Sequence, residues 1–128
     1  MIFLEAKLIQ ILKALSDETR LRILNLLHQG DLCVCELEIL LEISQSNASR
    51  HLSKLTAVEL LRYYKSAKYV YYTINDEMIE KHPFIKQIFN IETAQLEKCQ
   101  RDNERLAYYK ETGYTCDDLK EGKVCFEV

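Results

Sequence analysis

Apolar positions recur at helical spacing over residues 2–15, where Phe3, Leu4, Leu8, Ile11, Leu12 and Leu15 predict an amphipathic first helix. Asp17 then reads as an N-cap for a second helix running to about residue 29, with Gly30 as its C′ residue. Leu21, Ile23, Leu24, Leu26 and Leu27 are dense enough to make that helix a buried centre. Asp31 is the expected cap of a short third helix reaching about Leu41, and a fourth helix is expected from Gln45 to about Val58. From residue 61 to 74 the chain turns aromatic and β-branched around Ser66-Ala67-Lys68, which predicts two strands and a short turn. A long helix is expected over residues 83–110, with Ile85, Ile88, Phe89, Leu96, Cys99, Leu106 and Tyr109 as its apolar stripe.

Helices followed by a hairpin give the order of a winged helix-turn-helix, so the expected fold is mainly α with a β-hairpin wing. The first and last helices have apolar faces without an evident partner in the chain, and pairing them across a two-fold axis predicts a homodimer. Residues 1–110 are expected to form one DNA-binding and dimerisation domain. Residues 111–128 read as a polar tail that carries Cys116 and Cys125.

Composition supports this reading. Nearly half of the 128 residues are apolar, with three Gly and one Pro, as in a largely helical globular domain. No apolar run reaches the ~18 residues of a membrane span, and no leader is evident ahead of the first helix, so a cytoplasmic location without membrane association is expected. The net charge of −3 conceals a split. Between residues 44 and 72, Arg50, Lys54, Arg62, Lys65 and Lys68 face only Glu59, whereas residues 111–128 hold five acids against two lysines. A local basic patch suffices for phosphate contacts.

The fourth helix has the side chains that base reading requires. Gln45, Ser46, Asn47, Ser49 and Arg50 offer amides, hydroxyls and a guanidinium at its N-terminal end, with His51 and Lys54 following. Ala48, Leu52, Leu55 and Val58 supply its inward face. Lys65 and Lys68 at the hairpin tip are candidates for phosphate contact, and double-stranded DNA is the expected partner.

Five cysteines, two of them only two residues apart, make a poor disulfide framework and point to thiols used for ligation, redox chemistry or packing. Cys33 and Cys35 sit just ahead of the DNA-reading helix. On an intact helix their side chains diverge by about 200°, so joint ligation is expected to distort the first turn of the third helix. A helix N-terminus there is expected to favour thiolates. Cys35 falls beside Glu38, Ile39 and Glu42, where packing explains it poorly. Cys116, Cys125 and Cys99 are candidates for a third ligand, Cys99 also having a packing role open to it. A phosphate-type loop and a base beside a nucleophilic cysteine are both lacking, so an enzyme is not expected.

The run Ala14-Leu15-Ser16-Asp17-Glu18-Thr19-Arg20-Leu21-Arg22-Ile23-Leu24, the segment Leu32-Cys33-Val34-Cys35-Glu36-Leu37, the stretch from Ser44 to Leu55 and the strand end Tyr71-Tyr72-Thr73-Ile74-Asn75 resemble the ArsR/SmtB family of bacterial metal-responsive repressors. The resemblance covers roughly residues 10–80. The Cys33-Val34-Cys35 motif is similar to that of the arsenic- and antimony-sensing branch. This implies a homodimeric repressor of a resistance operon that leaves its operator when trivalent arsenic or antimony binds the thiolates, with no constitutive cofactor. The chain departs from that branch at Glu38, where a third cysteine is typical, and near Glu59, where the family often has Gly. A thiol redox or persulfide sensor joining Cys33 or Cys35 to Cys99 is the alternative on the same scaffold.

Overall fold

The computed structural model describes residues 2–113 and 115–120, with side chains over 7–113 and 115–119. Helix α1 spans Ile2–Leu15 and α2 spans Glu18–Leu27, with the Asp17 carboxylate accepting from the backbone N–H groups of Thr19 and Arg20. Strand β1 (Leu32–Cys33) leads directly into α3 (Val34–Leu41), and α4 (Gln45–Ala57) follows. Strands β2 (Leu61–Ser66) and β3 (Tyr69–Ile74) form the wing. The sheet is antiparallel in the order β1-β3-β2, with Cys33 opposite Tyr71 and Tyr64 opposite Tyr71 on the other side. This is a winged helix-turn-helix, mainly helical with a small sheet.

The expected hairpin is present without a glycine in its turn. Ala67 instead takes φ 55°, a left-handed conformation. At the end of α4, Glu59 stands at φ 63°, where the resembled family often has Gly. A residue with a Cβ is strained there, by about 1–2 kcal/mol.

Two expectations about helices are corrected. Asp31 does not cap α3. The two residues after it pair with β3, so the cap falls on Cys33 (φ −87°, ψ 167°), and the Glu36 carboxylate accepts from the Cys33 N–H at 2.9 Å. The long helix over residues 83–110 is broken. Its stretch contains α6 (Pro83–Gln87), a wide turn over Ile88–Glu92, a tight turn over Thr93–Gln95, and α7 (Glu97–Thr112), with α5 (Asp76–Lys81) preceding it. Buried Thr93 donates its hydroxyl to the Phe89 carbonyl, and Leu96 is extended, which re-aims α7 along α2.

The core gathers Ile23, Leu24, Leu26 and Leu27 of α2 with Leu37, Leu40 and Leu41 of α3 and Leu52 and Leu55 of α4. Ile85, Phe89, Leu106 and Tyr109 join the same cluster. The apolar stripe of the last long helix therefore finds partners inside its own chain. Leu8, Ile9 and Leu12 of α1 are left substantially exposed.

Helix α7 acts as a strut. Arg22 of α2 donates from Nε and Nη2 to buried Asp102 at 2.7 and 2.8 Å. Arg105 donates to the carbonyls of Leu40 and Ile39, satisfying groups at the C-terminal end of α3. Tyr109 donates to Glu36 Oε2 at 2.5 Å, near the N-terminal end of α3. A further short helix, α8 (Cys116–Lys120), folds back against α3 and buries Cys116 and Leu119. No helix among the described residues is long and apolar enough to cross a membrane.

Candidate metal centre and nucleic-acid interface

Three cysteine sulfurs converge where β1, α3 and α8 meet. The ligand atoms of Cys33, Cys35 and Cys116 all lie within 4.8 Å of one another. Cys33 Sγ is 2.8 Å from Cys35 Sγ and 2.7 Å from Cys116 Sγ, and Cys35 and Cys116 are joined through sulfur with Cα atoms 6.5 Å apart. All three residues are buried, with Tyr69 and Tyr71 of the wing packed against them.

The expected divergence of Cys33 and Cys35 does not occur, because only Cys35 is inside the helix. Cys33 has the extended backbone of a cap, which swings its side chain onto the same side as Cys35. Joint ligation consequently requires no unwinding of α3. Cys35 also lies on a covered face, since α8 packs where the isolated helix would meet solvent.

The expected thiolate preference is corrected as well. Burial pushes the Cys33 thiol up to about 12, and the nearby Glu36 carboxylate adds to this. The Glu36 backbone N–H offsets only part of it. Cys33 is therefore a protonated thiol at neutral pH.

Cys99 is not part of this cluster. It is buried on α7 beside the Arg22–Asp102 pair, and burial pushes its thiol up to about 11. The structure joins Cys35 to Cys116, whereas the redox alternative read from sequence joined Cys33 or Cys35 to Cys99. Cys125 lies outside the described residues.

Around the cluster, Glu36 and Tyr109 form a buried support that the sequence reading did not single out. Glu36 bridges the Cys33 N–H and the Tyr109 hydroxyl. Burial, then the Glu36 hydrogen bond, pushes the Tyr109 hydroxyl well above the ordinary tyrosine range. A Glu three residues after a cap is the detectable signal, but it points to Cys33 only once β1 is known.

On α4, Gln45, Ser46, Arg50 and Lys54 are exposed, and Asn47 and Ser49 are half-buried. Ser44 Oγ accepts from the Asn47 N–H at 3.2 Å, and Arg50 Nη2 donates to Asn47 Oδ1 at 2.6 Å, which holds the guanidinium along the helix start. Lys65 and Lys68 are exposed on the wing. His51 is placed otherwise. It is 5% exposed, and its Nδ1 accepts from Arg20 Nη1 at 3.1 Å. Burial lowers its pKa, so it is a neutral acceptor packed inward. Its position follows from turning toward α2, beside inward-facing Ala48, Leu52 and Leu55.

Known proteins match these features. The family described as bacterial regulatory protein, arsR family, matches residues 17–63. Over 73 residues the chain is 40% identical to the cadmium resistance transcriptional regulatory protein CadC homolog of Staphylococcus aureus, a match covering 56% of this chain and 60% of that protein. The chain thus spans less than two thirds of that relative's length. It is 36% identical over 93 residues to an arsenical resistance operon repressor of Staphylococcus xylosus, covering 73% of this chain and 86% of the repressor. Among solved structures it is similar to HlyU from Vibrio cholerae N16961, with a TM-score of 0.59 and 36% identity over 70% of this chain and 98% of the other. With its winged helix-turn-helix, its matched segment and its relatives, the chain belongs to the arsR family of bacterial regulatory proteins, a family of transcriptional regulators and not of enzymes.

Proposed function

We propose that this protein is a DNA-binding repressor of a metalloid-resistance operon, and that trivalent arsenic or antimony on Cys33, Cys35 and Cys116 releases it from its operator. The observation that carries the reading is the convergence of three buried sulfurs from β1, α3 and α8, the last far from the other two in sequence. Soft thiolates select soft ions, and three of them suit a trivalent centre. The inducer need not expel protons into solution. Arsenous acid and three thiols give an arsenic trithiolate and three waters, so a thiol held protonated is no obstacle. A dication such as cadmium must instead displace those protons to solvent.

The DNA-contacting set is Gln45, Ser46, Asn47, Ser49, Arg50 and Lys54 on α4, with Lys65 and Lys68 on the wing. Burial removes His51 from it. The exposed face of α1 at Leu8, Ile9 and Leu12 supports a second copy as partner, which would present two α4 helices to two half-sites. Leu12→Glu should then yield a monomer in sedimentation, and an unaltered dimer would remove α1 from the interface. Cytoplasmic action on operator DNA follows from the same reading.

The test is fluorescence anisotropy with promoter DNA, titrating arsenite under reducing conditions. Release by arsenite in the wild type, lost in Cys33→Ser with Cys35→Ser and in Cys116→Ser, supports the reading. DNA binding that arsenite leaves unchanged refutes it. The close approach of the Cys35 and Cys116 sulfurs favours a second reading, a redox-sensing repressor in which a peroxide takes two electrons and two protons from these thiols, joining them as a disulfide, and becomes two waters. Release by peroxide, reversed by dithiothreitol and insensitive to arsenite, would select it.

A further inference from the structure

The three-sulfur cluster is built into the base of the wing. Cys33 lies on β1, opposite Tyr71 of β3, and Tyr69 and Tyr71 cover the sulfurs. The residue after Cys116 extends this link to the wing tip. Asp117 Oδ1 is 3.1 Å from Lys68 Nζ and accepts from the Tyr69 hydroxyl. Lys68 Nζ also lies 5.4 Å from the centre of the Tyr69 ring. One carboxylate thus takes a cation and a hydroxyl together, the pair of donors that a wing offers to a DNA phosphate.

We propose that Asp117 is an intramolecular substitute for a DNA phosphate, and that ligation of Cys116 holds it on Lys68 and Tyr69, withdrawing the wing from the operator. This rests on the repressor reading above and assigns how occupancy of its site reaches the DNA.

The coupling follows from how α8 is anchored among the described residues. The helix has five residues and two buried anchors, Cys116 and Leu119. A helix that short does not persist unaided, so its docking depends on the sulfur tether. With the tether made, Asp117 is held one residue from a fixed point, at high effective concentration beside Lys68. With the tether released, α8 leaves α3 and Lys68 returns to phosphate. Helix α4 need not be displaced.

The experiment uses the full chain as wild type, Asp117→Asn, Asp117→Ala and Lys68→Gln. DNA binding is measured by anisotropy over a range of salt concentrations, without arsenite and at saturating arsenite under reducing conditions. Arsenite binding is read separately from the ultraviolet absorption of the arsenic–thiolate bonds. Both Asp117 variants should bind arsenite, and should bind DNA without arsenite as the wild type does. Arsenite should then weaken their DNA binding by about three- to tenfold less than it weakens the wild type, the scale of one exposed ion pair per subunit. Each phosphate contact contributes about 0.9 to the slope of log K against log salt. The loaded Asp117 variants should therefore keep a slope about 1.8 steeper per dimer than the loaded wild type. Lys68→Gln should lose that increment without arsenite and match the wild-type slope with it. Asp117 variants that bind arsenite and release DNA with the wild-type fold-change and slope would overturn the latch. A wild type that binds arsenite without releasing DNA, or fails to bind it, would overturn the repressor reading instead.

Discussion

Removing the Tyr109 hydroxyl should unsettle the start of α3, which carries two of the three sulfurs at or beside it. In Tyr109→Phe the ring remains in the core, so no large cavity opens. Glu36 Oε2 loses its 2.5 Å donor, while Oε1 keeps the Cys33 N–H. Glu36 is 9% exposed and Tyr109 6%, so water cannot readily replace the lost hydrogen bond. A hydrogen bond to a charged group contributes about 1.5–3 kcal/mol, and an abandoned buried acceptor falls toward the upper end. With a urea slope of about 2 kcal/mol per molar, the midpoint should fall by about 1 M. Equilibrium urea unfolding at one fixed protein concentration is the assay, because a dimer's stability depends on concentration. A cycle with Glu36→Gln should give a coupling of about 1 kcal/mol or more, since both changes act on one contact. A loss under ~0.5 kcal/mol with an unchanged slope would refute the claim that this bond holds the start of α3.

Three further outcomes test the framework around the site. Asp102→Asn leaves Arg22 without its carboxylate in a buried position and should cost about 3–5 kcal/mol in urea unfolding; a loss below 1 would show the α2–α7 pair to be dispensable. Cys99→Ser should leave arsenite affinity and DNA release unchanged in anisotropy, and altered release would bring α7 back into the sensing site. Burial lowers the pKa of His51 below the ordinary 6.5, so the unfolded chain binds a proton that the folded one refuses. Stability should therefore be fully present above pH 6.5 and decline as pH falls below it, as followed by thermal unfolding. His51→Gln should flatten that decline, although His28, exposed at the end of α2 and with its pKa also lowered by desolvation, contributes a remainder.

Much of the architecture was legible because its signals are local. The 3.6-residue period marks α2 and α4, the enrichment in aromatic and β-branched residues marks the wing, and Asp17 marks a helix start. The amides and hydroxyls from Gln45 to Ser49 and the Cys33-Val34-Cys35 motif were likewise readable as polar and thiol chemistry.

The choice among Cys99, Cys116 and Cys125 was not legible, nor was the geometry of the pair. Cys35 and Cys116 are 81 residues apart, and their meeting depends on the turn at Thr93–Gln95 that sends α7 back along α2 before α8 folds over α3. Strand β1 has two residues, too few for a periodic signal, yet its pairing with Tyr71 and Tyr72 moves the cap of α3 from Asp31 to Cys33 and brings two sulfurs together. His51 was ambiguous for the same reason: helical spacing defines a face, but only α2 packed alongside, with Arg20 in reach, decides that this face is interior. Sequence alone determined where the amide, hydroxyl, cationic and thiol side chains stand along the chain. Tertiary structure decided which of them meet, because side-chain periodicity is set within a few residues whereas convergence depends on where distant segments pack.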